Sequence, residues 1–257
     1  MAFELLPVFL PIAVYWIGSG IYAILMGSMK QHRLFTDEDE DTKNLVTRRQ
    51  ALAIVVFNQV TQVAVVTLSM LLGAKEGVKS HAGDTRLPLY LLRVAGQLAA
   101  AVLVYDAWLF WWHRATHESK FLYKHFHSVH HRLVVPYSYG AQCIHPIDSL
   151  FGDSVGAVMT SFVSGMSPTI SAVFFTIVTL KGLDDHSGLW FPGSPTSRFL
   201  SSNSALHAFH HQPHGIKYNY SNFLFTIWDR LLGTYMPCSV EEREGGGYVL
   251  RSSAKDH

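Results

Sequence analysis

The sequence predicts an all-α, multi-pass membrane protein with a histidine-rich, di-metal helical cap on the cytosolic side. Three observations predict it. Only 15% of the 257 residues are charged while 49% are hydrophobic, against about 25% charged in a typical soluble domain. The apolar residues are gathered into uncharged runs long enough to cross a bilayer. The chain also carries 15 histidines, twelve of them between His113 and His214. Lys and Arg number 20 and Asp and Glu 19, so no basic surface is offered to nucleic acid. Cys143 and Cys238 form neither a disulfide framework nor a CxxC metal site. With no internal repeat and no low-complexity linker, residues 1–257 read as a single domain.

A helix needs about 20 apolar residues to cross the hydrocarbon core. Residues 5–29 (LLPVFLPIAVYWIGSGIYAILMGSM) run without a charge and form the first span. They lack the basic start and the cleavage site of a signal peptide, so the span stays in the mature chain. Residues 51–74 form the second span. The third covers 94–112, is interrupted by Asp106, and ends in the aromatic belt Phe110-Trp111-Trp112. Residues 154–180 are 27 uncharged positions broken by Gly165 and Pro168. That is too long for one span with a central proline and too short for two, so a hairpin returning to its own side fits best. Two standard spans are the rival. The acidic run Asp37–Asp41 reads as a solvated loop, and the tail after Val240 as a loop with a short disordered end.

Orientation follows from the basic residues. With three single spans and a hairpin, residues 30–50, 113–147 and 181–257 share one side and hold sixteen Lys and Arg. The other side holds four: Lys75, Lys79, Arg86 and Arg93. The richer side is the cytosolic one.

Three histidine clusters lie on that side. His113 and His117 are four apart, so on a helix both rings point the same way. His127, His130 and His131 repeat the idea at i+3 and i+4, and His207, His210 and His211 repeat that spacing. Eight imidazoles exceed the four that a tetrahedral zinc site accepts. Two metal ions are the economical explanation, with zinc, copper, iron and nickel all suited to imidazole. The hairpin topology brings the third cluster back beside the first two, so charge and spacing agree.

Further candidates surround these. Asp106 lies two helical turns before His113, and a carboxylate within a membrane segment is costly unless it is used. It is expected to accept a hydrogen bond from a ligand ring. His186 is expected to be a ninth ligand, with Asp185 orienting its neighbours, and His145 is open between a tenth ligand and a structural role. His125 and His214 read as structural, and His32, His81 and His257 as surface or hydrogen-bonded residues. The aromatic belt reads as interfacial anchoring rather than a substrate clamp.

At these residues the chain resembles the fatty acid hydroxylase/sterol desaturase superfamily of membrane di-iron enzymes. The resemblance rests on HRATH (113–117), YKHFHSVHHR (123–132), CIHP (143–146), DDHSGLW (184–190), HAFHH (207–211), KYNYSNF (217–223) and WDRLLGTYMP (228–237). It covers most of residues 106–237, the catalytic part. Within the superfamily the likeness is greatest to plant sphingoid-base C-4 hydroxylases, through YKHFHSVHHRLVVPYSYGA, SGMSP and TIWDRLLGTYMP. Short plant very-long-chain aldehyde decarbonylase-like proteins are grouped with them. Two positions depart from the pattern. Ala208 stands where the C-4 hydroxylases carry Asp, and His214 where an aromatic residue is usual.

The resemblance implies two iron ions, with zinc able to replace them in purified samples, and activation of O2 to hydroxylate an unactivated methylene of a long-chain lipid. No nucleotide fingerprint is present, so the family likeness implies electrons from NAD(P)H through cytochrome b5 and its reductase. It implies an endoplasmic reticulum membrane enzyme converting sphinganine or dihydroceramide to phytosphingosine-type bases, as a homo- or hetero-oligomer or alone. No separate protein base is expected in the chemistry. The alternatives are a very-long-chain aldehyde deformylating oxygenase making wax alkanes, a non-catalytic partner subunit, and a metal-binding membrane protein such as a transporter or sensor.

Overall fold

A computed structural model describes residues 5–73 and 86–252. His81, His257, Lys75 and Lys79 lie outside the described residues. The chain folds into α1 (Leu6–Ser28), α2 (Asp37–Lys43), α3 (Arg48–Gly73), α4 (Leu87–Glu118) and α5 (Lys120–His125). A 3₁₀ turn (His127–Arg132) follows, then α6 (Pro146–Ser149), a π-helical turn (Leu150–Val155), α7 (Gly156–Ser164) and α8 (Pro168–Asp185). The short α9 (Pro195–Phe199), α10 (Ser204–His210) and α11 (Ile227–Leu232) precede an antiparallel pair, β1 (Cys238–Glu242) and β2 (Tyr248–Ser252). The protein is mostly helical.

Among the described residues three helices are long and apolar enough to cross a membrane: α1, α3 through Ser69, and α4. Their outer faces stay apolar. Ile17, Ile21 and Ile24 of α1, Phe57 and Val60 of α3, and Leu92 and Leu103 of α4 are all exposed. A contiguous exposed surface of this kind is costly in water and natural in lipid. The first two spans match the expected bounds within three residues. The third does not: α4 begins at Leu87 and continues six residues past Trp112. At 1.5 Å per residue its 32 residues reach about 48 Å, well beyond a hydrocarbon core of about 30 Å. The excess length carries His113 and His117 on the same rigid rod.

The fourth apolar region is a helical hairpin. α6, the π turn and α7 run without a break from Pro146 to Ser164, and α8 returns from Pro168. Gly165 makes the turn in the left-handed region (φ 63°), which a side chain would strain, and Ser167 caps the returning helix through Ile170 N. α8 packs along α1, and α7 against α4.

Two expectations are corrected. The acidic run is a helix, not a loop. Thr36 and Asp39 form a reciprocal capping box, with Asp39 N donating to Thr36 Oγ1 at 3.0 Å and Thr36 N to Asp39 Oδ2 at 2.8 Å. Its Glu40 is buried and takes Arg48 bidentately at 2.7 and 2.9 Å. The segment expected as a loop after Val240 is a β-hairpin, and the expected disordered end lies outside the described residues. Val240 faces Leu250, and both pack with Tyr248 onto Leu34, Phe35, Val135 and Ala208. Burial of that apolar stripe is what holds the hairpin.

Candidate metal centre

Nine imidazoles converge. The last two turns of α4 carry His113 and His117, whose Nε2 atoms lie 3.1 Å apart. The 3₁₀ turn supplies His127, His130 and His131. Three residues of such a turn advance about 6 Å along its axis, which lets His127 and His130 serve different centres from one face. The end of α8 supplies His186, and α10 supplies His207, His210 and His211. Ligand atoms fall into two sets, each gathered within 4.8 Å: His113, His117, His127, His131 and His210 in one, and His130, His186, His207 and His211 in the other. Each HxxHH box therefore feeds both sets, and the sets adjoin at His131 and His211, with ring centroids 4.8 Å apart.

The protons decide what this arrangement can hold. Nδ1 of His113 meets Tyr220 O at 2.7 Å, and Nδ1 of His210 meets Tyr218 O at 2.6 Å. Nδ1 of His186 meets Gly182 O at 2.8 Å, and Nδ1 of His211 meets Leu133 O at 2.8 Å. A carbonyl only accepts, so each of these four rings carries its proton on Nδ1 and turns an Nε2 lone pair inward. His113 and His210 then oppose bare lone pairs at 3.1 Å. Protonation does not relieve this. Burial and neighbouring rings hold His130, His131, His207 and His211 well below the usual histidine range, and burial lowers His186 to about 4 and His210 to about 3. A metal cation does relieve it. Nε2–Nε2 separations of 3.0–3.3 Å are edges of a coordination shell. For a metal–nitrogen distance of about 2.1 Å, that edge is about 3.0 Å in an octahedron and about 3.4 Å in a tetrahedron. The residues fit two metal ions.

All nine expected ligands come together, and the outer candidates do not join them. His145 stands outside both sets. Its Nδ1 accepts from Ile147 N at 3.2 Å, capping α6, and its ring lies on Phe126. Asp106 takes Trp228 Nε1 at 2.9 Å and Leu224 N at 3.3 Å instead of an imidazole. It ties the loop before α11, and the start of α11 itself, to α4. Asp185 is buried against Lys181 one turn back and reaches no ring. His125 packs on Phe121, His214 on Phe209, and His32 bonds Trp190 O at 3.1 Å. Ala208 is fully buried, off the ligand face of α10, in the apolar cluster beneath the β-hairpin.

The carboxylate that does meet a ligand is Asp148, which sequence reasoning passed over. Its Oδ2 accepts from His127 Nδ1 at 2.7 Å, and its Oδ1 accepts from Trp112 Nε1 at 2.7 Å. Trp112 thus has an anchoring role inside the protein. The available signal was its place one turn after His145. Tyr220 stacks on His117 with centroids 5.2 Å apart and donates to Glu118 at 3.0 Å. Gly215 closes the loop behind α10, where a Cβ would collide with Phe209 O.

With this geometry in hand, the comparisons are specific. The profile of the fatty acid hydroxylase family matches residues 98–234. The chain is 46% identical to sphinganine C4-monooxygenase 2 of Arabidopsis thaliana, over 96% of this chain and 94% of that protein. It is 40% identical to the very-long-chain aldehyde decarbonylase GL1-9 of Oryza sativa subsp. japonica, over 96% and 95%. It is 34% identical to the sphingolipid C4-hydroxylase sur2 of Schizosaccharomyces pombe, over 90% and 88%. No solved structure gives a significant match.

Proposed function

The chain belongs to the fatty acid hydroxylase family, whose membership and relatives indicate an oxygenase, and from that premise we propose that it hydroxylates C-4 of a sphingoid base. The observation that carries this reading is near-full-length similarity to plant and yeast C-4 hydroxylases, joined to nine converging imidazoles. In this reading the two sets of rings hold two iron ions. When bound, the pair supplies dioxygen activation and the oxidising power to break an aliphatic C–H bond.

The remaining work falls to the chain. Main-chain carbonyls fix four rings in the tautomer that offers Nε2, and Asp148, steadied by Trp112, does the same for His127. The apolar outer faces of α1, α3 and α4 seat the protein in the endoplasmic reticulum membrane with the histidine cap cytosolic, so an alkyl chain approaches through lipid. Electrons arrive from NAD(P)H by way of cytochrome b5 and its reductase.

Expression in a yeast lacking its own C-4 hydroxylase is expected to restore phytosphingosine. Absence of that product from well-expressed, metal-loaded protein would sink the reading. A second reading keeps the metal site and changes the outcome: removal of the carbonyl carbon of a very-long-chain aldehyde. It is favoured by the rice relative, aligned over 96% of this chain. The same cells, fed long aldehydes, would then yield alkane in place of hydroxylated base.

A further inference from the structure

A cavity of about 250 Å³ lies between the last turns of α1, residues 30–37, the start of α3 and residues 137–139. No imidazole of either set lines it. Its walls contain Ser19, Arg33 and Tyr137, each 5% exposed or less. Among the described residues the Ser19 hydroxyl, the Tyr137 hydroxyl and Arg33 Nε have no hydrogen-bond partner. A buried polar group left unmatched costs roughly 1–3 kcal/mol, and more when it is charged. Native proteins hold few of them. Three in the walls of one small cavity point to a ligand that bonds them together.

Charge narrows the chemistry. The lining includes Lys30, Arg33, Arg48 and one carboxylate, Asp37. Asp37 takes Arg33 Nη1 and stands 3.8 Å from Lys30 Nζ, while Arg48 is held by Glu40 from outside the cavity. Arg33 Nε remains to meet an anion, and the exposed ammonium of Lys30, only loosely paired with Asp37, stands beside it. Two hydroxyls, a guanidinium N–H and an ammonium match the several oxygens of a phosphate, and charge-assisted bonds of this kind are the strong ones. Position narrows it further. Lys30 is the first charged residue after the uncharged length of α1, so the cavity sits where that helix leaves the bilayer. We propose that it binds the phosphate of an anionic membrane lipid, at a site separate from the metal centre.

The test uses full-length protein in phosphatidylcholine nanodiscs with and without phosphatidate, read by lipid retention in native mass spectrometry. Wild type is expected to retain phosphatidate over phosphatidylcholine. Ser19→Ala deletes a hydroxyl with no hydrogen-bond partner among the described residues, and Tyr137→Phe deletes one whose near polar neighbour is the Tyr139 hydroxyl, so the cost to the fold is small. Each is expected to weaken retention about tenfold, the value of one bond to a charged group, with metal content unchanged. Arg33→Gln is expected to weaken it further. Since Arg33 also holds Asp37, the two hydroxyl variants keep the test decisive should that protein misfold. Equal retention by wild type and both hydroxyl variants would overturn the site. Displacement by an equal concentration of inorganic phosphate would overturn the lipid as its ligand.

Discussion

The two sets of imidazoles are made of the same side chain and held in different ways. In the five-ring set His113 and His210 lean on main-chain carbonyls, and His127 leans on the carboxylate of Asp148. In the four-ring set His186 and His211 lean on carbonyls and, among the described residues, no carboxylate stands behind a ring; Nδ1 of His207, like that of His131 in the five-ring set, has no hydrogen-bond partner there. A carboxylate behind an imidazole raises its basicity, and a fifth ring adds redundancy. On the proposed reading, the five-ring set would hold its ion the more firmly, and the four-ring set would leave more of its ion's coordination shell to other ligands.

The largest expected effect tests the redundancy. His207→Ala removes one of four rings and should cost one metal equivalent and at least about a hundredfold in product formation, the upper end of what a lost orienting partner costs. His117→Ala removes one of five and should retain more metal. Elemental analysis of both proteins checks this, and equal loss would break the contrast. Next, Asp148→Asn should weaken one of the two ions by about 10–100-fold. A chelator titration then becomes biphasic, with the other ion unmoved.

A third prediction concerns pH in the metal-free protein. The folded rings resist protonation, His210 down to about 3 and His186 down to about 4, whereas unfolded histidine titrates near 6.5. Below about 6.5 the unfolded chain binds more protons than the folded one, so stability falls with pH through the window from 6.5 toward 4. It is fully present above that window. Melting temperatures measured from pH 8 to 5 should decline on the acid side, and a flat profile would contradict the neutral, buried rings. The smallest effect is His145→Ala. Metal content should stay the same, with a loss of about 0.5–1 kcal/mol from the cap of α6, read by denaturant unfolding.

The parts of this molecule that announce themselves in sequence are those governed by one-dimensional repetition. α1 and α3 follow from uncharged length, and eight of the nine candidate ligands from i+3 and i+4 spacing, His186 being marked by its place just past the hairpin. Asp106 and Asp185 read in sequence as carboxylates that orient ligand rings, and the structure gives them other partners. Those partners proved to be Trp228, 122 residues away, and Lys181, because burial demands a bond without naming its donor. Asp148 reaches His127 from 21 residues along the chain, at the start of the hairpin's first arm, a contact that no local pattern encodes. The carbonyls behind His113 and His210 were illegible for another reason: every residue has one. The helix at Asp37–Lys43 was legible. Thr36 and Asp39 spell a capping box, and the density of charge masked it.

Four of the nine rings are aimed by the backbone itself, through the oxygens of Leu133, Gly182, Tyr218 and Tyr220. No side-chain replacement at those four positions removes the aiming atom. A lineage can thus exchange the bulk and polarity around the centre while the aim of the rings survives. That decoupling gives a physical route by which near-full-length relatives of one chain come to carry names as different as monooxygenase and decarbonylase.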